Sequence, residues 1–194
     1  MKQTIRFHTF ETNSSSAHSL VYSKKNPNRV EYHLDLEGDG SLLIHFHSYN
    51  WSGPEEIGDL LSKANDKLDY IMSLLCSIIH WEKPFDFLEQ NEDYVKSTIY
   101  EEVPEAKKLL DDIREVIPEI TDIHFALNHD GWDSESATGE IDHQSADGLG
   151  NDDYLNIIFN KGCLILVTND NEWYYGTEED DNCTYIITEK DFEE

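Results

Sequence analysis

An α+β fold is predicted from three features of the chain: segments alternating with period two at its beginning, apolar residues at helical spacing in its middle, and short strand-like runs broken by turn residues at its end. Residues 4–10 alternate well enough for a strand, and 19–23 suit a second. Residues 30–36 set Val30, Tyr32, Leu34 and Leu36 against Glu31, His33 and Asp35. Glu37-Gly38-Asp39-Gly40 then supplies a tight turn and 41–47 return, which predicts a hairpin. The period then changes. Trp51-Ser52-Gly53-Pro54 reads as a helix start, with Ser52 or Gly53 near the cap and Glu55 and Glu56 at the positive end of the dipole. Ile57, Leu60, Leu61, Ala64, Leu68, Ile71, Met72, Leu75 and Ile79 follow at helical spacing and predict one amphipathic helix over 54–80.

Pro84 punctuates that helix; 85–101 read as one or two short helices, 104–116 as another ending before Pro118, and 120–127 as a strand. Residues 128–153 hold many Gly, Asp and Ser and few apolar side chains, which makes them a long acidic loop. The runs 154–159, 163–168, 172–175 and 183–188, separated by turns such as Asn160-Lys161-Gly162, predict an antiparallel meander. The expected architecture over 1–194 is a single α+β domain. Its antiparallel sheet joins the N-terminal strands and hairpin to the C-terminal meander, and a long central helix and shorter helices pack on one face. There is no βα alternation, internal repeat or glycine-rich phosphate loop, so dinucleotide-binding and P-loop folds are excluded.

Charge sets the strongest bound on function. The formal net charge is -27, and it is unevenly placed: residues 1–50 carry five acids and five bases, 51–100 ten and four, 101–150 fourteen and three, 151–194 twelve and two. From Asp130 to Asp153 there are eight acids and no Lys or Arg. Such a field repels phosphate backbones and attracts basic surfaces or cations, so direct binding of nucleic acid by charge is not expected. No run approaches the roughly 20 apolar residues of a membrane span, and the first residues lack the apolar stretch of a secretion signal. Cys76, Cys163 and Cys183 are widely spaced and odd in number, which predicts reduced, buried thiols and a cytoplasmic location.

Two polar clusters stand out. The first is Phe10-Glu11-Thr12-Asn13-Ser14-Ser15-Ser16-Ala17-His18-Ser19, where Glu11, Ser14, Ser16 and His18 are candidate catalytic groups and Asn13 and Ser15 candidate ligand contacts. The same composition also describes a turn whose Asn and Ser side chains bond their own backbone. The second runs from His129 to Ser145. Asp142 and His143 supply a carboxylate and an imidazole, and Gln144 and Ser145 further ligand contacts. Asp130, Asp133, Glu135, Glu140, Asp147, Asp152 and Asp153 form a candidate acidic interaction face. Asn128, Asp130, Asp133 and Glu135 do not have the spacing of an EF-hand, and His33, His45 and His47 are a second potential ligand set on a sheet. No cofactor or metal is required by these patterns.

FETNSSSxHS at 10–19 together with IDHQS at 141–145 resembles a signature of small uncharacterised proteins of Firmicute bacteria and their phages. The resemblance covers about fifteen residues and implies a related fold in which the two segments meet, within a host cytoplasm where the protein is phage-encoded; it implies no activity. Three functions are consistent with the sequence. One is an acidic phage-type effector or inhibitor that occupies the basic, nucleic-acid-binding surface of a host protein, such as a nuclease or defence component. Another is a small enzyme or nucleotide- or metal-binding protein with a Ser/His/Asp site at 11–19 and 141–145. The last is a phage structural or assembly protein.

Overall fold

The computed structural model describes residues 3–6, 17–23, 30–46, 59–82, 92–127, 154–169, 175–176 and 185–186. Strand β1 (Gln3–Arg6) pairs with β2 (Ala17–Ser23), β2 with β6 (Cys163–Asn169), and β6 with β4 (Asp59–Leu61), all antiparallel. Leu166 sits across from Leu20 on one side and Leu60 on the other. A second sheet has two strands, β3 (Leu42–Phe46) and β5 (Ile123–Leu127), which run parallel with Ile44 opposite Phe125. A third joins β7 (Tyr175–Gly176) and β8 (Tyr185–Ile186), also in parallel. The helices are α1 (Ala64–Glu82), α2 (Glu92–Glu102), α3 (Pro104–Val116) and α4 (Tyr154–Phe159).

The class is therefore α+β, but the expected single antiparallel sheet is corrected. The turn at 37–40 forms, with Gly40 N–H donating to Glu37 O and Glu37 N–H to Ser41 O. Its arms then part. Leu42, Ile44 and Phe46 are buried against Ile123 and Phe125 in the parallel pair, while the backbone of Asp35 is held by the Asn65 side chain, which both accepts from Asp35 N–H and donates to Asp35 O. The helix expected over 54–80 begins at Ala64, and 59–61 form the edge strand β4 instead. The meander is replaced as well: 154–159 fold as helix α4, because a six-residue apolar run fits helix or strand equally well by pattern. Strand β6 inserts between β2 and β4, and β7 pairs with β8 in parallel rather than antiparallel. The helix start at 51–54 and the loop at 128–153 lie outside the described residues.

One cluster of buried side chains joins β3 and β5 to α1, α3 and α4. In α3, Ala106, Leu109, Leu110 and Ile113 are buried at helical spacing, each Leu or Ile contributing about 1.5–3 kcal/mol. Val103 caps that helix without a side-chain acceptor, and Pro104 removes one of the N–H groups that would need a partner. Helix α1 is different. Every residue from 67 to 74 is buried, so its middle is surrounded by β3 and the other helices rather than lying on a surface.

Gly40 adopts φ of +85°, and a Cβ there would meet Thr121 Cγ2 at 3.1 Å, whereas a Cβ at Gly38 meets nothing within 4 Å. Gly40→Ala should therefore lose about 1–2 kcal/mol of unfolding free energy in urea titration, with Gly38→Ala within about 0.5 kcal/mol of wild type. Equal effects at the two glycines would refute this assignment of strain.

Candidate functional site

Of the residues singled out in the two sequence motifs, His18 falls in β2, opposite Thr168 of β6. Glu11, Asn13, Ser14, Ser15 and Ser16, and the entire second cluster with Asp142, His143, Gln144, Ser145 and the acidic positions from Asp130 to Asp153, lie outside the described residues. Of the histidine set expected on N-terminal strands, His33 is exposed and lies outside any strand, since 31–37 do not form one, with Nε2 3.7 Å from Asp35 Oδ1; His45 is half-buried on β3, and His47 lies outside the described residues. Among the described residues no group of three or more His, Cys, Asp or Glu is placed to hold a metal ion. Cys76 and Cys163 are buried and unbridged, and burial pushes the Cys76 thiol well above its ordinary value, as expected for unreactive core thiols.

The densest polar arrangement that the structure describes was not singled out from the sequence. It lies where β5 begins and α2 begins. Glu92, in the first turn of α2, places Oε1 2.6 Å from His124 Nδ1 and also accepts from Phe125 N–H at 3.4 Å. Lys96, one turn later, donates from Nζ to Asp122 Oδ1 at 2.6 Å and to Ile123 O at 3.0 Å. Arg114 of α3 approaches the same Asp122 oxygen at 3.6 Å, and His124 Nε2 lies 3.9 Å from Asp122 Oδ2. The Lys96 hydrogen bond, followed by that from Ile123 N–H, holds the Asp122 carboxyl below its usual range. A carboxylate on Nδ1 fixes the ring orientation of an imidazole. Among the described residues no hydroxyl or thiol is hydrogen-bonded to His124.

Around it, the α2–α3 layer is acidic by a wide margin. Residues 92–122 contain ten acids and four bases, and all four bases are engaged within the layer. Lys96 and Arg114 meet Asp122, Lys107 meets Asp111, and Lys108 meets Asp112. Asp93, Glu101, Glu105, Glu115 and Glu119 remain exposed. The turn beside it adds Glu37 and Asp39, also exposed, and Thr121 Oγ1 donates to Asp39 O. Nothing in the spacing of Glu92, Lys96, Asp122 and His124 along the sequence says that they meet.

A second polar arrangement is internal. Lys67 is completely buried, and its Nζ donates to Asn160 O at 3.3 Å and Cys163 O at 3.2 Å. Asn160, also fully buried, accepts from Gly162 N–H at 2.8 Å through Oδ1, the bond that closes the turn from α4 to β6. Asp69, 7% exposed, accepts from His45 N–H at 3.0 Å. Burial pushes its carboxyl up to about 7, with the neighbouring Asp66 charge adding to the rise and the His45 hydrogen bond opposing it. No described helix is long and apolar enough to cross a membrane. No family model matches the chain, and neither a curated protein nor a solved structure matches it.

Proposed function

We propose that the protein is a binding protein that presents its acidic surface to a basic, nucleic-acid-binding surface of a host protein, in the manner of an inhibitor that displaces nucleic acid. The observation that carries this reading is the charge balance of the α2–α3 layer. Each of its four bases is paired internally, so the exposed carboxylates of Asp93, Glu101, Glu105, Glu115 and Glu119 are left to act outward. A helical surface of fixed carboxylates offers a partner's Lys and Arg the same charge-assisted contacts that phosphates do, and steers encounter at low salt. The acidic stretch from Asp130 to Asp153 adds eight more acids to the surface charge expected from the sequence.

The test is competition. Host proteins retained on the immobilised chain at 0.1 M salt should be released by double-stranded DNA, and their affinity should fall at least about tenfold between 0.1 and 0.5 M salt. Replacing Glu101, Glu105 and Glu115 together by Gln should weaken the same partner. Retention indifferent to salt, or a partner that binds DNA and this chain simultaneously, would rule the proposal out.

A further inference from the structure

A parallel pair of strands has two outer edges, and each edge carries main-chain groups that a further strand could take. In the β3–β5 pair the bond from Leu42 N–H to Asp122 O, at 2.9 Å, fixes the phase of the ladder. The main-chain groups of Leu42 and Ile44 point at β5. Those of Ile123 and Phe125 then point away from β3, and those of His45 away from β5. On the β5 side these outward groups are met by side chains. Ile123 N–H donates to Asp122 Oδ1 at 2.8 Å, Ile123 O accepts from Lys96 Nζ, and Phe125 N–H donates to Glu92 Oε1.

The match is geometric as well as chemical. Glu92 and Lys96 are four residues apart on α2, a rise of about 6 Å along the helix axis. Ile123 and Phe125 are two residues apart on β5, an advance of about 6.6 Å. One helix face therefore offers an acceptor and a donor at nearly the interval at which a neighbouring strand would offer its own C=O and N–H. The helix runs opposite to the strand, so its earlier residue meets the later strand residue.

We propose that Glu92 and Lys96 form a side-chain strap that takes the place of a strand on the outer edge of β5 and keeps that edge closed to pairing with a second copy of this chain. A second copy is the occupant excluded because an edge strand is self-complementary about a twofold axis: the outward N–H and C=O of Ile123 and Phe125 can be answered by the same groups of another β5. The fastening is half-exposed, and its Lys96–Asp122 part is an ion pair. Glu92 is tied to His124, and Lys96 to Asp122, with side-chain exposures of 44%, 41%, 30% and 48% respectively. Salt therefore weakens the strap and, by screening the -27 net charge, weakens the repulsion between copies as well.

The test uses the full chain and compares Glu92→Ala/Lys96→Ala with wild type. The amide of Phe125 should exchange at least about tenfold faster in the variant while that of Leu42, bonded inside the ladder, changes by less than about twofold. At about 0.1 mM in 0.5 M NaCl the variant should sediment as a larger species than wild type, with β5 amides becoming protected again as it associates. Glu92→Gln, which keeps an acceptor, should behave as wild type in low salt. Two results overturn the proposal: equal acceleration at Phe125 and Leu42, or an opened Phe125 edge without association. If the double variant does not fold, wild type decides. Raising NaCl from 0.1 to 1 M should accelerate Phe125 exchange at least about threefold and leave Leu42 unchanged, and no differential response rejects the strap.

Discussion

Lys67→Ala is expected to lower the unfolding free energy by about 3–5 kcal/mol. Two losses add. The four-carbon stem lies in a part of α1 where every neighbour along the helix from 67 to 74 is also buried, so truncation leaves a cavity. The amine also ties α1 to the α4–β6 turn, where the carbonyls of Asn160 and Cys163 would lose a donor in a place that water does not reach. Lys67→Met separates the two contributions. It fills the same space and removes only the polar contacts, so it should cost less than Lys67→Ala by about 2 kcal/mol. Urea titration of both variants measures this. A Lys67→Ala loss under about 1 kcal/mol would mean that the buried amine is not a structural tie.

The second large effect depends on pH. The Asp69 carboxyl titrates near 7 in the folded chain and near 3.8 when free, so the folded state holds its proton more tightly than the unfolded state does. The stability linked to that proton is fully present below about pH 4 and is lost as pH rises through 7. Asp69→Asn keeps an oxygen for the His45 N–H and cannot ionise. Each pH unit between the folded and free titrations corresponds to about 1.36 kcal/mol. Asp69→Asn should therefore stabilise the protein by about 2–4 kcal/mol at pH 8 and leave it within about 1 kcal/mol of wild type at pH 4. Thermal unfolding of the two proteins at both pH values provides the comparison. A constant difference between pH 4 and 8 would show that Asp69 is already ionised, or equally protonated, in both states.

These two residues also show what the sequence could and could not convey. Helix 104–116 was legible because Ala106, Leu109, Leu110 and Ile113 mark a single buried stripe beside charged neighbours. The same reading placed Leu68, Ile71 and Met72 correctly in the core of α1. It gave Lys67 and Asp69 no place there, because a polar residue inside an apolar stripe has no local signature of its main-chain partners, which come from a distant turn and a distant strand. The pairing of β3 was misread for a related reason. The glycine turn at 37–40 is adjacent in sequence and argues for a hairpin, while the actual partner at 123–127 lies beyond three helices, and periodicity carries no information about which strand a strand will meet. The charged cluster at Glu92, Lys96, Asp122 and His124 was hidden likewise: its members are ordinary polar residues of their own segments until α2 is laid along β5.

The parallel pair has a consequence for how the protein is made. Asp39 and Thr121, which meet at the base of β3 and β5, are 82 positions apart, and β2, paired with β1 on one side, finds its other partner in β6, near the other end of the described chain. At about 5–20 residues per second on the ribosome, several seconds separate the emergence of Leu42, Ile44 and Phe46 from that of the strand that covers them. Contacts of this range also make for slow closure once synthesis is complete. In that interval β3 lacks its partner while β1 and β2 can already pair, and the helices made before β5, α2 and α3 above all, can pack on each other. Local contacts are therefore available first, while β3 waits for β5 and the second edge of β2 waits for β6.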